Sequence, residues 1–353
     1  MGMFPYIVKE GAKMTDNETT TPTRLPTMMR AVTQKRFGQP DQVLERAELP
    51  VPQPKQGQVL IRVAASSVNA LDWHLLTGTP YIARPSFGMR KPRRLIPGAD
   101  ISGTVVALGA EVTDFSIGDE VFGEVGGGGF ADYATAPVRA IARRPQNLSL
   151  EDSSTLGVAA LTALQGLRDW ASMKPGDRIL INGASGGVGT FAIQIAKALG
   201  AGQVTAVCST RNLETASGLG ADRVIDYTSE DFTAITDKFD VFFDNAGSKS
   251  LSASKGMLAN DGTLVMVTGK KGRWIRPVER MIGGSIRSRL WSQSFVSNTA
   301  RRSAADGELL AAMVSEGTLR PVMDRRFTLD QAAAALAYQG EGHARGKSIV
   351  VPS

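Results

Sequence analysis

Four glycines fall within seven residues, Gly183, Gly186, Gly187 and Gly189, directly after the apolar run Ile179-Leu180-Ile181. Beyond them Val188, Phe191, Ala192, Ile195 and Leu199 recur at helical spacing, so 178–202 reads as strand, tight turn and helix. A glycine turn in that place lets backbone N–H groups and the positive end of a helix dipole meet an anion with no Cβ in the way. The anion expected is a pyrophosphate. Gly186 and Gly189 take the second and third places of the G-x-G-x-x-G fingerprint and Ala184 the first, with Ser185, Gly187 and Val188 completing the turn. The plain alternative is a tight turn that binds nothing.

Enzymes of this kind that take NAD place an acid after the second strand, about twenty residues beyond the glycines, to hold the ribose 2′-hydroxyl. Here the corresponding stretch is Cys208-Ser209-Thr210-Arg211-Asn212, without an acid. Hydroxyls and a guanidinium would pair with a 2′-phosphate that a carboxylate would repel. NADP(H) is therefore the expected cofactor, with Ser209, Thr210 and Arg211 as its phosphate pocket.

The elements that must position this turn follow from the pattern on either side. Strand-like runs starting near Ile179, Val204, Val224, Phe239 and Thr263 alternate with helical stretches, as in a parallel, doubly wound Rossmann sheet of the α/β class. Between Arg30 and Asp132 the texture is instead that of a β domain, with runs separated by Gly, Pro and Asp turns and no long helix. Residues 153–168 read as a helix between the two.

A chain of 353 residues, 42% hydrophobic and 21% charged, is long enough for two medium domains. A single cysteine, Cys208, excludes a disulfide framework and fits a reducing cytoplasm, and with only His74 and His343 a metal site is not expected. The apolar run 156–167 is too short to span a bilayer. The first 27 residues are polar, contain acids and lack the apolar core of a signal peptide, and read as a disordered tail.

Gly176-Asp177, Leu180, Ala184-Ser185-Gly186-Gly187, Gly189, Gln194 and Lys197 follow an ungapped signature, and from about Met29 to the C-terminus the chain resembles the quinone oxidoreductase and zeta-crystallin branch of the medium-chain dehydrogenase/reductases. The resemblance implies a GroES-like β-barrel catalytic domain beside the Rossmann sheet, with 97–103 and 118–123 as barrel landmarks. It divides the chain into the tail 1–27, a first catalytic part 28–150, an NADP-binding part 151–297 and a return to the catalytic domain over 298–353. Zinc-dependent relatives carry Gly-His-Glu at the first landmark. This chain has Gly98-Ala99-Asp100 and no cysteine near 66–69, so the Zn²⁺-dependent alcohol dehydrogenase mechanism is excluded.

The same resemblance implies hydride transfer to a quinone or an α,β-unsaturated carbonyl, with the protein supplying position and a proton. It places Asp72 in an Asn-x-x-Asp turn and Tyr227 near the cofactor phosphate. Asp244, Asn245, Gly247, Thr268 and Gly269 fall at the ligand-binding ends of strands, Phe295 and Val296 at the nicotinamide amide, and Lys347 at the phosphate end. Three residues are candidates for the chemistry. Tyr81 matches a tyrosine that donates the proton in enoyl-thioester reductase relatives but sits one residue later, after Pro80, which leaves packing at the cleft rim as its other reading. His74 has a pKa suited to proton transfer, against a packing or cofactor-contact role. Asn69 orients the turn or the nicotinamide. A homodimer is also implied, with the strand 264–267 as its edge.

One segment stands apart. In 270–291, Ile275, Val278, Ile282, Ile286 and Leu290 share one side of a helical wheel and Arg273, Arg276, Arg280 and Arg287 the other; seven Lys and Arg against one Glu give +6, the formal charge of the whole chain. It reads as a lid over the site or as a surface for a membrane or partner, and RKPRR at 90–94 could extend the same patch. A second reading of the protein follows, as a low-activity NADPH-binding protein that acts through RNA, a membrane surface or a partner. The complete set of cofactor and site motifs favours the enzyme, and nucleic acid is not the expected partner.

Overall fold

Alternation decides the first sheet. In β3 (Gln58–Ser67) the side chains of Val59, Ile61 and Val63 point into one core, while on the other face Leu60 is buried in a second and Arg62 stays exposed, the two-residue period of a strand. The structure is a computed structural model that describes residues 25–267, 291–342 and 344–352. β1 (Met28–Gln34) and β2 (Leu44–Pro50) form an antiparallel pair. β3, β4 (Asp100–Leu108), β5 (Glu120–Glu124), β6 (Tyr133–Pro137) and β7 (Ile141–Arg143) build the antiparallel GroES-like sheet, interrupted by no helix longer than the eight residues of α1 (Ala70–Thr77).

The second sheet is parallel throughout. It comprises β8 (Arg178–Asn182), β9 (Gln203–Cys208), β10 (Arg223–Asp226), β11 (Phe239–Asp244), β12 (Leu258–Met266) and β13 (Ser294–Val296), in the order β10-β9-β8-β11-β12-β13. Ile179 and Ile181 face one core and Leu180 the other, as do Phe243 and Phe242, so both faces are covered and the middle of each of these two strands is a continuous apolar run. The strand order reverses between β8 and β11, where open α/β sheets bind their ligands. Four of the five expected strand starts lie within one residue of those observed. β12 begins at Leu258 rather than near Thr263, with a register shift opposite Phe239 and Val241.

The chain then returns to the first sheet. β14 (Met323–Thr328) and β15 (Lys347–Val351) pair parallel, and β15 joins β3 antiparallel. Two glutamines fix this path by reciprocal backbone clamps. Gln165 donates to the Arg301 carbonyl and accepts from the Arg301 N–H at 2.8 Å each, and Gln194 does the same with Arg320 at 2.9 Å each.

Two expectations need correction. Residues 153–168 are not one helix: α2 (Val158–Gln165) starts after a break at Gly157, whose added Cβ would lie 2.1 Å from Asp100 Oδ1. The helix gives way because Val158 N–H donates to that carboxylate at 2.8 Å. Nor is 264–267 an edge: β13 pairs outside β12, so among the described residues the sheet ends at β13 on this side and at β10 on the other. The segment 270–290, Thr268, Gly269 and His343 lie outside the described residues.

The glycine turn itself is set by contact rather than by freedom alone. A Cβ on Gly189, in the first turn of α3 (Gly187–Ala198), would stand 2.2 Å from the Gly183 carbonyl oxygen and 2.7 Å from Ala184 Cα, all backbone. Gly189→Ala is expected to cost about 1–3 kcal/mol through this overlap, read as a lower urea midpoint at unchanged slope. An unchanged midpoint would refute the close packing of α3 on the end of β8.

Candidate active site

The centre of the molecule holds two carboxylates and one ammonium away from water. Asp72 and Asp100 are 1% and 0% exposed and Lys347 3%, levels at which a charged group must be paired or neutralised. Asp100, first residue of β4, receives four neighbours: Ser67 Oγ and Asn69 Nδ2 each donate to Oδ2 at 2.8 Å, Val158 N–H donates to Oδ1, and the Lys347 ammonium stands 4.0 Å away. Ser66 Oγ donates to the Asp100 carbonyl at 2.6 Å. Asp72 receives only two backbone N–H groups, those of Asn69 and Ala99, each at 2.9 Å.

That difference sets the two acids apart. Burial pushes both acids up and Lys347 down, and the Asp100 charge adds to the effect on Asp72, which rises to about 7. The larger set of donors and the neighbouring Lys347 oppose the upward push on Asp100, whereas Asp72 has only its two backbone donors and the Asp100 charge against it.

Asn69 is used on every polar atom. Its Nδ2 donates to Asp100 and to the Ser67 carbonyl, its Oδ1 accepts from Lys347, and its backbone N–H caps onto Asp72 at the start of α1. Lys347 also donates to the Val68 carbonyl at 3.1 Å. The sequence reading puts Lys347 at the phosphate end of the cofactor; in the structure its ammonium lies on the Asn69 turn instead. Only its stem touches the glycine turn, where a Cβ on Gly187 would meet Lys347 Cδ at 2.6 Å. The neighbouring backbone completes the join: Gly346 bridges Gly186, and its N–H donates to the Ser185 carbonyl at 2.9 Å. One residue thus ties the glycine turn to the turn that carries α1.

α1 bears His74, whose Nδ1 lies 2.8 Å from the Thr79 carbonyl. A carbonyl only accepts, so Nδ1 carries the proton and Nε2 is the basic nitrogen of the neutral ring. Tyr81 follows in the next loop, half-buried, with the Arg84 guanidinium 4.4 Å over its ring.

At the switch point, Asp244 is fully buried and its Oδ1 takes up Asn182 Nδ2 at 2.8 Å and Gly247 N–H at 2.9 Å, so it shapes the turn and does not line the crevice. Asn245 N–H donates to the Asn182 carbonyl at 3.0 Å, and its Nδ2 lies 3.8 Å from a Cβ placed on Gly186. Nothing nearer than 3.7 Å meets that Cβ, so the side of Gly186 that a side chain would occupy is open, as the approach of a pyrophosphate requires. Phe295 is buried against the Trp291 ring, 5.4 Å between centroids, on one side of the sheet, and the half-buried Val296 packs against the core on the other.

The turn after β9 is less free of acid than its sequence. Asp226, opposite Cys208 in the β10–β9 register, accepts from Thr210 Oγ1 at 2.5 Å and from Thr228 Oγ1 at 2.7 Å, and these hydrogen bonds hold its carboxyl low. Ser209 Oγ accepts from Asn212 Nδ2 at 3.0 Å, and Tyr227 is 56% exposed beside them. Arg211 lines a cleft of about 480 Å³ together with Asp324, Arg325, Tyr338, Glu341 and Arg345. Asp324 is taken by the Tyr338 hydroxyl at 2.8 Å and the Arg345 N–H at 2.9 Å, and the Arg325 guanidinium lies 3.9 Å over the Tyr338 ring. Arg325 and Arg345 were not legible as site residues: only the return of the chain brings them opposite Arg211.

Residues 55–146 match the family described as the alcohol dehydrogenase GroES-like domain, and 219–350 match that described as zinc-binding dehydrogenase. The chain is 35% identical to the chloroplastic quinone-oxidoreductase QR1 of Triphysaria versicolor, over 92% of this chain and 99% of that one. The chain belongs to the quinone oxidoreductase branch of the medium-chain dehydrogenase/reductases. It is also 30% identical to the NADPH-dependent alkenal/one oxidoreductase of Arabidopsis thaliana, covering 94% of this chain and 82% of that protein. The quinone oxidoreductase structure from Coxiella burnetii superposes with a TM-score of 0.80 at 30% identity, covering 92% of this chain and 100% of that one.

The zinc in one family description does not fit this medium-chain reductase. No three of its described His, Cys, Asp and Glu residues come together, and Cys208 is buried in β9 of the other sheet. At the landmark where an imidazole and a carboxylate would be needed, Ala99 gives only its N–H and Asp100 is enclosed by donors and an ammonium.

The raised Asp72 has a consequence for stability. Its carboxyl binds a proton more tightly folded than unfolded, so stability present near pH 4 is lost as the pH climbs through about 7. The wild-type urea midpoint is expected to fall between about pH 5 and pH 8, and that of Asp72→Asn to fall less. Parallel pH profiles would show that Asp72 is not the titrating group.

Proposed function

We propose that this reductase oxidises NADPH and passes its hydride to a quinone or an α,β-unsaturated carbonyl, without a metal. The observation that carries this reading is the join through Lys347, which holds the cofactor-type glycine turn against the Asn69–Asp72 turn from which α1, His74 and Tyr81 follow. The names of the quinone oxidoreductase and alkenal/one oxidoreductase relatives point to the same pair of acceptor classes.

When bound, the nicotinamide supplies the hydride, and it adds to the electron-poor carbon of the acceptor. The chain's own residues orient and protonate. Negative charge that develops on the carbonyl oxygen needs a nearby donor. Tyr81 is the proposed donor, with Arg84 over its ring, and His74 is held by Thr79 as a neighbour that fixes the loop. Asn69, Asp72 and Lys347 are positioning residues that hold α1 against the crevice. The glycine turn and the N-terminus of α3 take the pyrophosphate, and Asn245 and Val296 border the nicotinamide side. The cleft where Arg211, Arg325 and Arg345 meet supports NADPH over NADH, since guanidiniums suit a 2′-phosphate and the charge of the nearby Asp226 is engaged by two threonines. The single buried cysteine supports a reducing compartment, and a homodimer through β13 is part of the same proposal.

Absorbance assays with NADPH and NADH, quinones and enones test this directly. NADPH-selective turnover that survives a metal chelator is expected. Arg211→Ala is expected to raise KM for NADPH by about tenfold or more with little change for NADH, from the loss of one charge-assisted contact. Equal use of both cofactors by the wild type would overturn the NADPH assignment, and cofactor binding without turnover on any acceptor would favour a binding protein.

A further inference from the structure

Between Asp72 and Asp100 the chain carries no acid, yet it carries Arg84, Arg90, Lys91, Arg93 and Arg94. The same stretch exposes Ile82 at 47%, Met89 at 68% and Leu95 at 46%. No carboxylate among the described residues pairs with any of the five cations, although fourteen ion pairs are found elsewhere in the described structure.

This loop is built, not frayed. Arg84 lies over the rings of Phe37 and Tyr81 at 4.9 and 4.4 Å and donates from Nε to the Gly78 carbonyl. Arg93 closes the turn by donating its N–H to the Phe87 carbonyl and its guanidinium to the Pro85 carbonyl. Gln34 of β1 anchors the far end, donating its N–H to the Leu95 carbonyl and its amide to the Arg94 carbonyl. The fold therefore holds three apolar side chains in water among cations, at the rim where Tyr81 begins the loop. Apolar side chains interleaved with Arg and Lys, free of acids, are the chemistry of an interface with anionic lipid.

We propose that the loop 82–95 docks the protein on an anionic bilayer surface, with Arg90, Lys91 and Arg94 at the headgroups and Met89 with its apolar neighbours in the acyl boundary. Through the proposed reaction, and only through it, the docking has a use: an acceptor dissolved in the bilayer would reach the site past Tyr81. A nucleic acid would satisfy the cations through its phosphates but would leave Met89 and Leu95 without an apolar partner.

Flotation of the full chain with vesicles tests this, using phosphatidylcholine alone and phosphatidylcholine with about 30% phosphatidylglycerol, at low and high salt. The wild type is expected to bind the anionic vesicles and to leave neutral ones. Arg90→Gln/Lys91→Gln/Arg94→Gln is expected to weaken binding by about fivefold for each charge removed, and Met89→Asp by a further amount that high salt does not erase. Both variants should turn over a water-soluble acceptor at the wild-type rate, which shows that they fold. A wild type that stays off anionic vesicles at low salt overturns the proposal. So do variants that bind as the wild type does, since the contact would then lie elsewhere on the chain. Met89→Asp indistinguishable from wild type on vesicles, with heparin competing fully, would mean a polyanion site and not a bilayer.

Discussion

The buried contact of Lys347 with Asn69 and the Val68 carbonyl, beside Asp100, is the constraint from which the rest of the molecule follows. An ammonium held at 3% exposure must be compensated, and the compensation comes from strands far apart in the chain. Asp100 opens β4, Asn69 precedes α1, and Lys347 opens β15. Meeting at one point, they force the last strand to cross back from the parallel sheet to the barrel. The same carboxylate breaks the long helix at Gly157 by taking the Val158 N–H, so the passage into the parallel sheet is shaped by it as well.

Such a cluster is a poor way to gain stability, since hydrophobic residues of like volume would serve as well or better. Its value here lies in specifying geometry. Every polar atom of Asn69 is committed, Asp72 holds the start of α1 and the Ala99 N–H together, and the Lys347 stem lies against Gly187. The cofactor turn and the helix that carries the candidate proton donors thus have one relative position. Hydride transfer depends on that position, because reacting carbons must be brought within near-attack distance before the chemistry contributes anything.

What could be seen in advance was what is local. The glycine turn and four of the five strand starts of the parallel sheet follow from spacing over a few residues, and the structure has them where spacing puts them. Contacts across the chain were not legible. Ala99-Asp100 stands where zinc-dependent relatives carry His-Glu, and only the fold reveals that Ser67, Asn69, Val158 and Lys347 converge on Asp100. The stretch from Ser209 to Arg211 looked free of acid because Asp226 is distant in sequence, and parallel pairing of β10 with β9 brings it alongside Thr210. The sequence reading has Lys347 at the phosphate end of the cofactor, whereas its ammonium lies on Asn69 and the Val68 carbonyl beside Asp100, a direction set by partners distant in the chain.

The most direct measurement is single-turnover hydride transfer from NADPH to a quinone, with NADPH binding measured separately, in Lys347→Met and in Lys347→Met/Asp100→Asn. The double variant removes both buried charges and so keeps a folded core within reach. The account predicts that NADPH binding by the folded double variant stays within about tenfold of wild type while the transfer rate falls about a hundredfold or more, the effect of a misplaced pair of reactants. Transfer at the wild-type rate in either folded variant would contradict it, because the join through Lys347 would then hold nothing that the reaction needs.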